Sequence, residues 1–183
     1  DDNTVEKAAK QEIIRRYYTA LCNRKQGLGS DAEVYKLELL MKQASLTSED
    51  RPVINAALSK AEETGEPAAA MEMADGTIIT GKTSSLLGAS SAMMLNALKY
   101  LGGIDDDIHL ISPTIIEPIQ KLKVGHMGNR NPRLHMDEVL IALSICAATD
   151  EKAQLALDQL GGLKGCEAHS SVSIGIPGVR GLD

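Results

Sequence analysis

The stretch DGTIITGKTSS, residues 75–85, decides how the middle of the chain folds, because two incompatible structures would fit it. The spacing G-x-x-x-x-G-K-[ST] of a phosphate-binding P-loop is met by Gly76, Gly81, Lys82 and Thr83. Residues 77–80, between the two glycines, are all β-branched, and such residues favour strands over the unusual backbone angles of a phosphate-binding loop. We therefore predict a β-hairpin rather than a nucleotide site.

The hairpin is predicted for residues 68–82, with its turn at Asp75 and Gly76, because Asp-Gly is one of the strongest short hairpin signals. Both positions of such a two-residue turn tolerate a positive φ. We expect Ile78 to pair with Met73 across the strands and Gly76 to adopt a positive φ.

A buried helix is predicted directly after the hairpin, over residues 84–101, because apolar and small residues surround it and Lys99 is its only charge. A helix N-terminus offers free N–H donors and a partial positive charge, which together favour an anion. The candidate anion-binding residues at this helix start are Lys82, Thr83, Ser84 and Ser85. The structural alternative is that Thr83 or Ser84 only caps the helix while Lys82 faces solvent.

A second polar segment, NRNPRLHMDE at residues 129–138, leads into another apolar helix, predicted for residues 136–148. Its candidate substrate-binding residues are Asn131, Arg133, His135 and Asp137. The alternative is structural, since Asp137 and Glu138 suit the first turn of a helix and an arginine partner would clamp them.

His169 is the last candidate, in the segment GCEAHSSVSIGI (residues 165–176) that we predict as the final strand. Together with Cys166 and Glu167 it resembles a nucleophile cluster. Successive side chains of a strand point to opposite faces, so Cys166 and His169 would lie on opposite sides of the sheet. His169 is therefore a substrate-binding candidate, and the catalytic residues stay unassigned.

The order of predicted elements gives the domain organisation. Three amphipathic helices form a small helical subdomain over residues 1–65, at residues 4–25, 31–44 and 48–64. Residues 66–183 follow the order hairpin, helix, strand, three helices and strand, with the middle strand at residues 108–112. This order predicts the α/β class, as a layered subdomain with at least one right-handed crossover.

The composition excludes several classes of function. The 183-residue chain is 43% hydrophobic and 24% charged, as in soluble globular proteins. It has four Tyr, no Phe and no Trp, and its net charge is −6, so we predict no nucleic-acid partner. No apolar run reaches the ~20 residues that span a bilayer, so no membrane association is predicted.

The histidines and cysteines predict neither a disulfide framework nor a metal site. Cys22, Cys146 and Cys166 lie far apart without C-x-x-C spacing, which favours reduced thiols and a cytoplasmic location. A zinc site needs three converging protein ligands, and the four His and three Cys never recur at H-x-E, C-x-x-C or H-E-x-x-H spacing. We therefore expect no zinc, and the sequence assigns no other cofactor.

Four long phrases of the sequence are distinctive: DGTIITGKTSSLLGASSAMMLNALKYLGGID (75–105), LISPTIIEPIQKLK (110–123), NPRLHMDEVLIALSICAAT (131–149) and LKGCEAHSSV (163–172). Together they closely resemble domain-of-unknown-function family 1846. The resemblance runs from about Asp2 to Val172, and the tail SIGIPGVRGLD at residues 173–183 departs from it.

The resemblance implies that this chain comes from a family of uncharacterised bacterial proteins, some of which are labelled ATP-dependent zinc proteases. Such proteins are longer chains, and their upstream half contains a glycine-rich loop that matches a nucleotide-binding loop better than residues 76–83 do. This sequence looks like their C-terminal part. The sequence begins at Asp1 rather than Met, so we expect a fragment or a processed form. Its expected partner is the remainder of its own full-length chain.

The second subdomain also resembles the layout of a cytidine deaminase, with a hairpin, a buried helix, a strand and a helix that starts at Ser-Pro. A zinc deaminase opens the first helix with H-x-E and the second with P-C-x-x-C. The corresponding positions here, residues 82–85 and 113–116, contain neither His, Glu nor Cys. We therefore expect a deaminase-like layout that lacks the zinc ligands.

Two hypotheses of function follow. In the first, residues 82–85 and 126–138 form an anion- or substrate-binding surface of an enzyme whose nucleotide-type loop lies in the missing N-terminal half. In the second, the chain is a structural or oligomerisation module without catalytic activity, and it can form a homo-oligomer. Convergence of the two segments in one cleft favours the first hypothesis, whereas a separation too wide for one small ligand favours the second.

Overall fold

The computed structural model describes residues 2–172. Within these residues lie seven α-helices, two 3-10 turns and one three-stranded sheet, which confirms the mixed α/β class. The helices are α1 Asp2–Lys25, α2 Asp31–Gln43, α3 Pro52–Thr64, α4 Ala89–Gly102, α5 Pro113–Gly125, α6 Met136–Ala147 and α7 Glu151–Asp158. The strands are β1 Ala68–Glu72, β2 Ile78–Lys82 and β3 Glu167–Ser170, and the 3-10 turns are Ser48–Asp50 and Leu160–Leu163.

The described residues form two compact units, one running to Asn55 and the other from Ala56 to Val172. The first unit holds α1 and α2, two of the three helices that the sequence predicted for this part of the chain. Its buried cluster consists of Ile14, Leu46 and Ile54. The predicted subdomain boundary after residue 65 falls beyond this division, behind α3, and it stays a prediction.

The strands β1 and β2 form the predicted antiparallel hairpin, but in a different register. Glu72, not Met73, pairs with Ile78. The Met73 nitrogen donates to the Thr77 oxygen at 2.8 Å and the Gly76 nitrogen donates to the Met73 oxygen at 2.9 Å, so the loop has three residues instead of two. A three-residue loop ends in a left-handed residue, and Gly76 fills that position with a φ of 85°, which confirms its predicted positive φ.

Strand β1 lies in the centre of the sheet, between β2 and β3. Ala70 pairs with Thr80 on one side and with His169 on the other, so these side chains share one face of the sheet. The opposite face includes Ala69 and packs against α4 around Met93. Every strand pair among the described residues is antiparallel, so the predicted right-handed crossover is not formed there.

The strand predicted at residues 108–112 is also not formed. The segment turns instead, and the Ile108 nitrogen donates to the Asp105 oxygen at 3.1 Å. Leu110 and Ile111 are buried in the core between the helices, so the apolar run reflects burial rather than strand pairing. A cytidine-deaminase layout requires this strand, and the layout is therefore not confirmed by the described residues.

Helix α4 begins at Ala89, later than predicted, because residues 83–88 form a loop. In this loop the Ser84 hydroxyl accepts hydrogen bonds from the Leu86 and Leu87 nitrogens at 3.2 and 3.1 Å. Such local side-chain bonds compete with helix formation. The prediction that Lys82, Thr83, Ser84 and Ser85 open this helix is therefore wrong. Lys82 is the last residue of β2, and the other three lie in the loop before α4.

The larger hydrophobic core lies among α4, α5, α6 and α7. Its fully buried side chains include Leu98, Leu134 and Leu143. On the outer side of α6, Ile141 and Ile145 are 61% and 60% exposed. None of the helices in the described range combines the length and the hydropathy that a membrane crossing requires.

Candidate functional site

Two polar loops that lie far apart in the sequence meet in the structure. We call their meeting point the loop junction, and it consists of residues 83–88 and 129–135. The Gly88 nitrogen donates to the Leu134 oxygen at 3.2 Å, and the Leu134 nitrogen donates to the Leu86 oxygen at 2.9 Å. The two segments that hold most of the candidate residues therefore converge.

Arg133 joins the two loops through its side chain. Its Nε donates to the Ser84 oxygen at 2.7 Å, and its backbone nitrogen donates to Asn131 Oδ1 at 3.0 Å. From α5, Gln120 Nε2 donates to the Ser85 oxygen at 2.9 Å. Arg133 thus bonds to two other predicted candidates. Gln120 was not among the predicted residues, because nothing in the sequence distinguishes it from a glutamine that faces solvent.

A buried ion pair holds the second loop of the junction. Lys123 on α5 is 2% exposed, and its Nζ donates to Glu138 Oε2 and to the Arg133 oxygen, both at 2.7 Å. The same Glu138 oxygen accepts from the His135 nitrogen at 2.8 Å, which fixes the start of α6. A buried ammonium needs such partners, because an uncompensated charge is costly in the interior. The sequence did not predict this pair, whose members are 15 residues apart.

Of the other candidate residues, Thr83 and His135 lie at the ends of the loop junction, whereas Lys82, Asp137 and His169 lie outside it. Thr83 is buried at the end of the hairpin, and Lys82 beside it is exposed. His135 and Asp137 are exposed at the start of α6. His169 lies in β3, which β1 separates from β2, so it is not part of the loop junction.

A cavity of about 190 Å³ shares Leu86 and Leu87 with the loop junction. Its polar lining residues are Asn96, Lys99 and His109. Lys99 is only 8% exposed, and its Nζ donates to the Asp106 oxygen at 2.8 Å. The sequence distinguished Lys99 only as the single charge of its helix, and it did not predict the cavity.

The described residues contain no group of three or more His, Cys, Asp or Glu side chains placed to hold a metal ion. The absence of zinc from the protein stays a prediction. Cys22, Cys146 and Cys166 are free thiols. Burial raises the pKa of the Cys146 thiol, which disfavours the reactive thiolate.

Comparison with known families gives two matches. The profile described as "Domain of unknown function DUF1846, C-terminal" matches residues 49–179, and the profile described as "Domain of unknown function DUF1846, N-terminal" matches residues 1–45. The first match extends past Val172, where the resemblance was expected to end.

Curated relatives carry the name UPF0371 protein. One from Corynebacterium urealyticum is 55% identical over 175 residues, which cover 96% of this chain and 35% of the relative. One from Corynebacterium glutamicum is 51% identical over 175 residues, with the same coverage of 96% and 35%. One from Streptococcus pyogenes serotype M5 is 53% identical over 165 residues, or 90% of this chain and 33% of the relative. The chain therefore spans about a third of the length of these relatives, and none of the three names states an activity.

Proposed function

Because this chain belongs to the DUF1846 family, whose function is unknown, we propose that it contributes an anion- or substrate-binding surface to a longer bacterial enzyme. The observation that carries the proposal is the loop junction, where two polar segments meet at Arg133. The chain spans 35% of the C. urealyticum relative, so the nucleotide-type loop would lie in the remainder of the longer protein. A cytoplasmic location is part of the same proposal, in keeping with the three free thiols.

Arg133 is the residue at the junction best suited to hold an anion. Its side chain is half-buried, and the bond from Nε to the Ser84 oxygen fixes the guanidinium plane. Within the described part of the chain, Nε is the one guanidinium nitrogen with a hydrogen-bond partner, so the two terminal nitrogens remain for a ligand. A fixed guanidinium binds the two oxygens of a carboxylate or phosphate side by side.

The proposal is tested with inorganic phosphate and the purified chain. A ligand present at ten times its Kd stabilises a protein by ~1.4 kcal/mol, which raises the melting temperature of a chain of this size by about 3–5 °C. We expect this rise in the unmodified protein and its loss in Arg133→Gln, which removes the guanidinium. Arg130→Gln is the matched control, because it removes an exposed arginine from the same loop.

Two outcomes would count against a phosphate site at Arg133. In one, phosphate leaves the melting temperature of the unmodified chain unchanged. In the other, Arg130→Gln and Arg133→Gln lower the phosphate response equally, which would indicate nonspecific attraction to the loop. If Arg133→Gln melts far below the unmodified chain, Arg133→Lys decides the question, since it keeps the charge but loses the two-nitrogen geometry.

A structural role is the second candidate, and the outer face of α6 favours it. Ile141 and Ile145 lie four residues apart on one side of the helix and are mostly exposed. Large exposed apolar side chains in one stripe mark an interaction surface. We propose that the remainder of the longer protein covers this face, since the matched segment makes up only 35% of the C. urealyticum relative.

The substitution Ile141→Glu tests this second candidate in two settings, with sedimentation reporting the oligomeric state and thermal unfolding reporting the melting temperature. In the isolated chain, a charge at this exposed position should leave the melting temperature unchanged and keep the chain monomeric. In a full-length relative, the equivalent change should lower the melting temperature, because the face would be buried there. A concentration-dependent dimer of the unmodified chain that Ile141→Glu abolishes would instead assign the face to a second copy.

A further inference from the structure

The cavity beside the loop junction has the size and the walls of a small-molecule site. Its volume of about 190 Å³ exceeds the ~150 Å³ that accommodates benzene in a protein interior. A ligand of about six non-hydrogen atoms therefore fits. Most of the wall is aliphatic and includes Leu86, Leu87, Leu95 and Ile116.

The charge in this cavity is positive. Lys99 and His109 are its only titratable lining residues in the described chain, and no carboxylate lines it. The N-terminus of α5 adds to the positive potential, because Pro113 and Ile116 in its first turn also line the cavity.

Lys99 lacks the partner that a buried cation normally has. In the described chain its Nζ donates to one group, the Asp106 carbonyl oxygen, and no carboxylate lies within ion-pair distance. Among the described residues the other buried lysine is Lys123, which pairs with Glu138 at 2.7 Å. Burying an ammonium without an anionic partner is costly, and a bound anion at Lys99 would offset that cost.

We propose that this cavity binds a short aliphatic monocarboxylate, separately from the loop junction. The carboxylate accepts hydrogen bonds from Lys99 Nζ, and the hydrocarbon tail packs against Leu86, Leu87 and Ile116. Phosphate fits this wall poorly, because it carries no apolar part to cover the leucines. The hydrocarbon tail therefore distinguishes the ligand of this cavity from the phosphate expected at Arg133.

Butyrate is the probe, and the measurement is calorimetric titration of the full chain carrying Arg133→Gln, because this substitution removes the anion site proposed at the loop junction. We expect butyrate to bind, and 1-butanol and inorganic phosphate to bind this cavity at least about tenfold more weakly, since each lacks either the charge or the tail. Lys99→Met removes the charge but keeps an aliphatic side chain, and should weaken butyrate by about tenfold or more. Lys121→Met, at an exposed lysine of α5, is the matched control and should leave butyrate binding unchanged.

Lys99→Met also separates this role from a purely structural one. If Lys99 serves only to hold the Asp106 oxygen, Lys99→Met loses stability and the chain with Lys99 intact shows no butyrate binding in the Arg133→Gln background, which overturns the proposal. If Lys99→Met fails to fold, Ala92→Leu decides, because it fills the cavity from α4 and leaves Lys99 in place. Butyrate binding that survives Ala92→Leu, or that equals phosphate binding at this cavity, also overturns the proposal.

Discussion

Gly81 lies directly against the backbone of Met93: a Cβ atom added to Gly81 would stand 2.0 Å from the Met93 nitrogen. Strand β2 and helix α4 approach each other too closely at this point for any side chain. The other glycine of the P-loop pattern, Gly76, closes the hairpin at a φ of 85°. Both glycines thus have structural explanations that involve no phosphate.

Gly81→Ala should therefore destabilise the protein. The added methyl group would force β2 and α4 apart, and overpacking of this kind costs about 1–3 kcal/mol or more. Urea unfolding would measure the change. Gly125→Ala is the control, because nothing lies within 4 Å of its Cβ position and its φ is not positive. Equal stability of the two variants would mean that the close approach is not rigid.

Nucleotide binding by the isolated chain is expected to be absent. Lys82 is the last residue of β2, and residues 77–80 belong to the hairpin rather than to a loop that could wrap phosphates. Calorimetry with ATP should give no binding at millimolar nucleotide, and Lys82→Ala should leave this result unchanged. Tight ATP binding that Lys82→Ala abolishes would restore the P-loop interpretation.

The hairpin was predictable because its signals are local. Residues 77–80 are β-branched, and Gly76 marks the turn, so element type and the positive φ followed from the sequence. The register was not predictable, because Asp-Gly occurs in both two-residue and three-residue loops, and the backbone bonds of Met73 select the longer one. The start of α4 was not predictable from local pattern alone, because a tertiary bond from the Gly88 nitrogen to the Leu134 oxygen adds to the local Ser84 bonds in holding residues 83–88 out of the helix.

The candidate site was predictable only in part. Polar loops before apolar helices drew attention to Ser84 and Arg133, which the structure joins. The buried lysines were missed, because the environment of Lys99 and Lys123 depends on how α4 and α5 pack. A sequence pattern shows that a helix is apolar, but it does not show which cavity its single charge lines.

The buried ion pair between Lys123 and Glu138 predicts a large effect of one substitution. Glu138→Gln would leave the buried ammonium without its counter-charge, which should cost about 3 kcal/mol, the low end for a broken buried pair because Glu138 is partly exposed. The double variant Lys123→Met/Glu138→Gln should recover part of this loss, since no buried charge remains. Chemical unfolding would measure both, and a Glu138→Gln variant as stable as the unmodified chain would refute the role of the pair.

Tyr100 links α4 to the hairpin loop and predicts a pH dependence. Its hydroxyl donates to Asp75 Oδ2 at 2.6 Å, and this bond, with help from Thr77, lowers the pKa of Asp75 below its ordinary value of 3.8. A carboxyl group with a lowered pKa in the folded state stabilises the fold above pH 3.8, and that contribution is lost as the pH falls through the folded pKa.

Tyr100→Phe removes the hydroxyl and should bring the pKa of Asp75 closer to its ordinary value. The variant should be less stable than the unmodified chain at neutral pH, and the difference should shrink as the pH falls below 3.8. Melting temperatures across this pH range provide the measurement. A stability difference that stays constant with pH would show that the tyrosine acts by packing alone.

The central claim, that the loop junction holds an anion, is tested most directly by nitrogen–proton correlation spectra of the chain during a titration with inorganic phosphate. The claim predicts saturable shifts of the amides in residues 84–87 and 131–135, and no saturable shifts in α1, most of whose lysines and arginines are exposed. The shifts should disappear in Arg133→Gln and persist in Arg130→Gln. Unchanged amides in both loops, or small shifts spread over every basic segment, would contradict the claim.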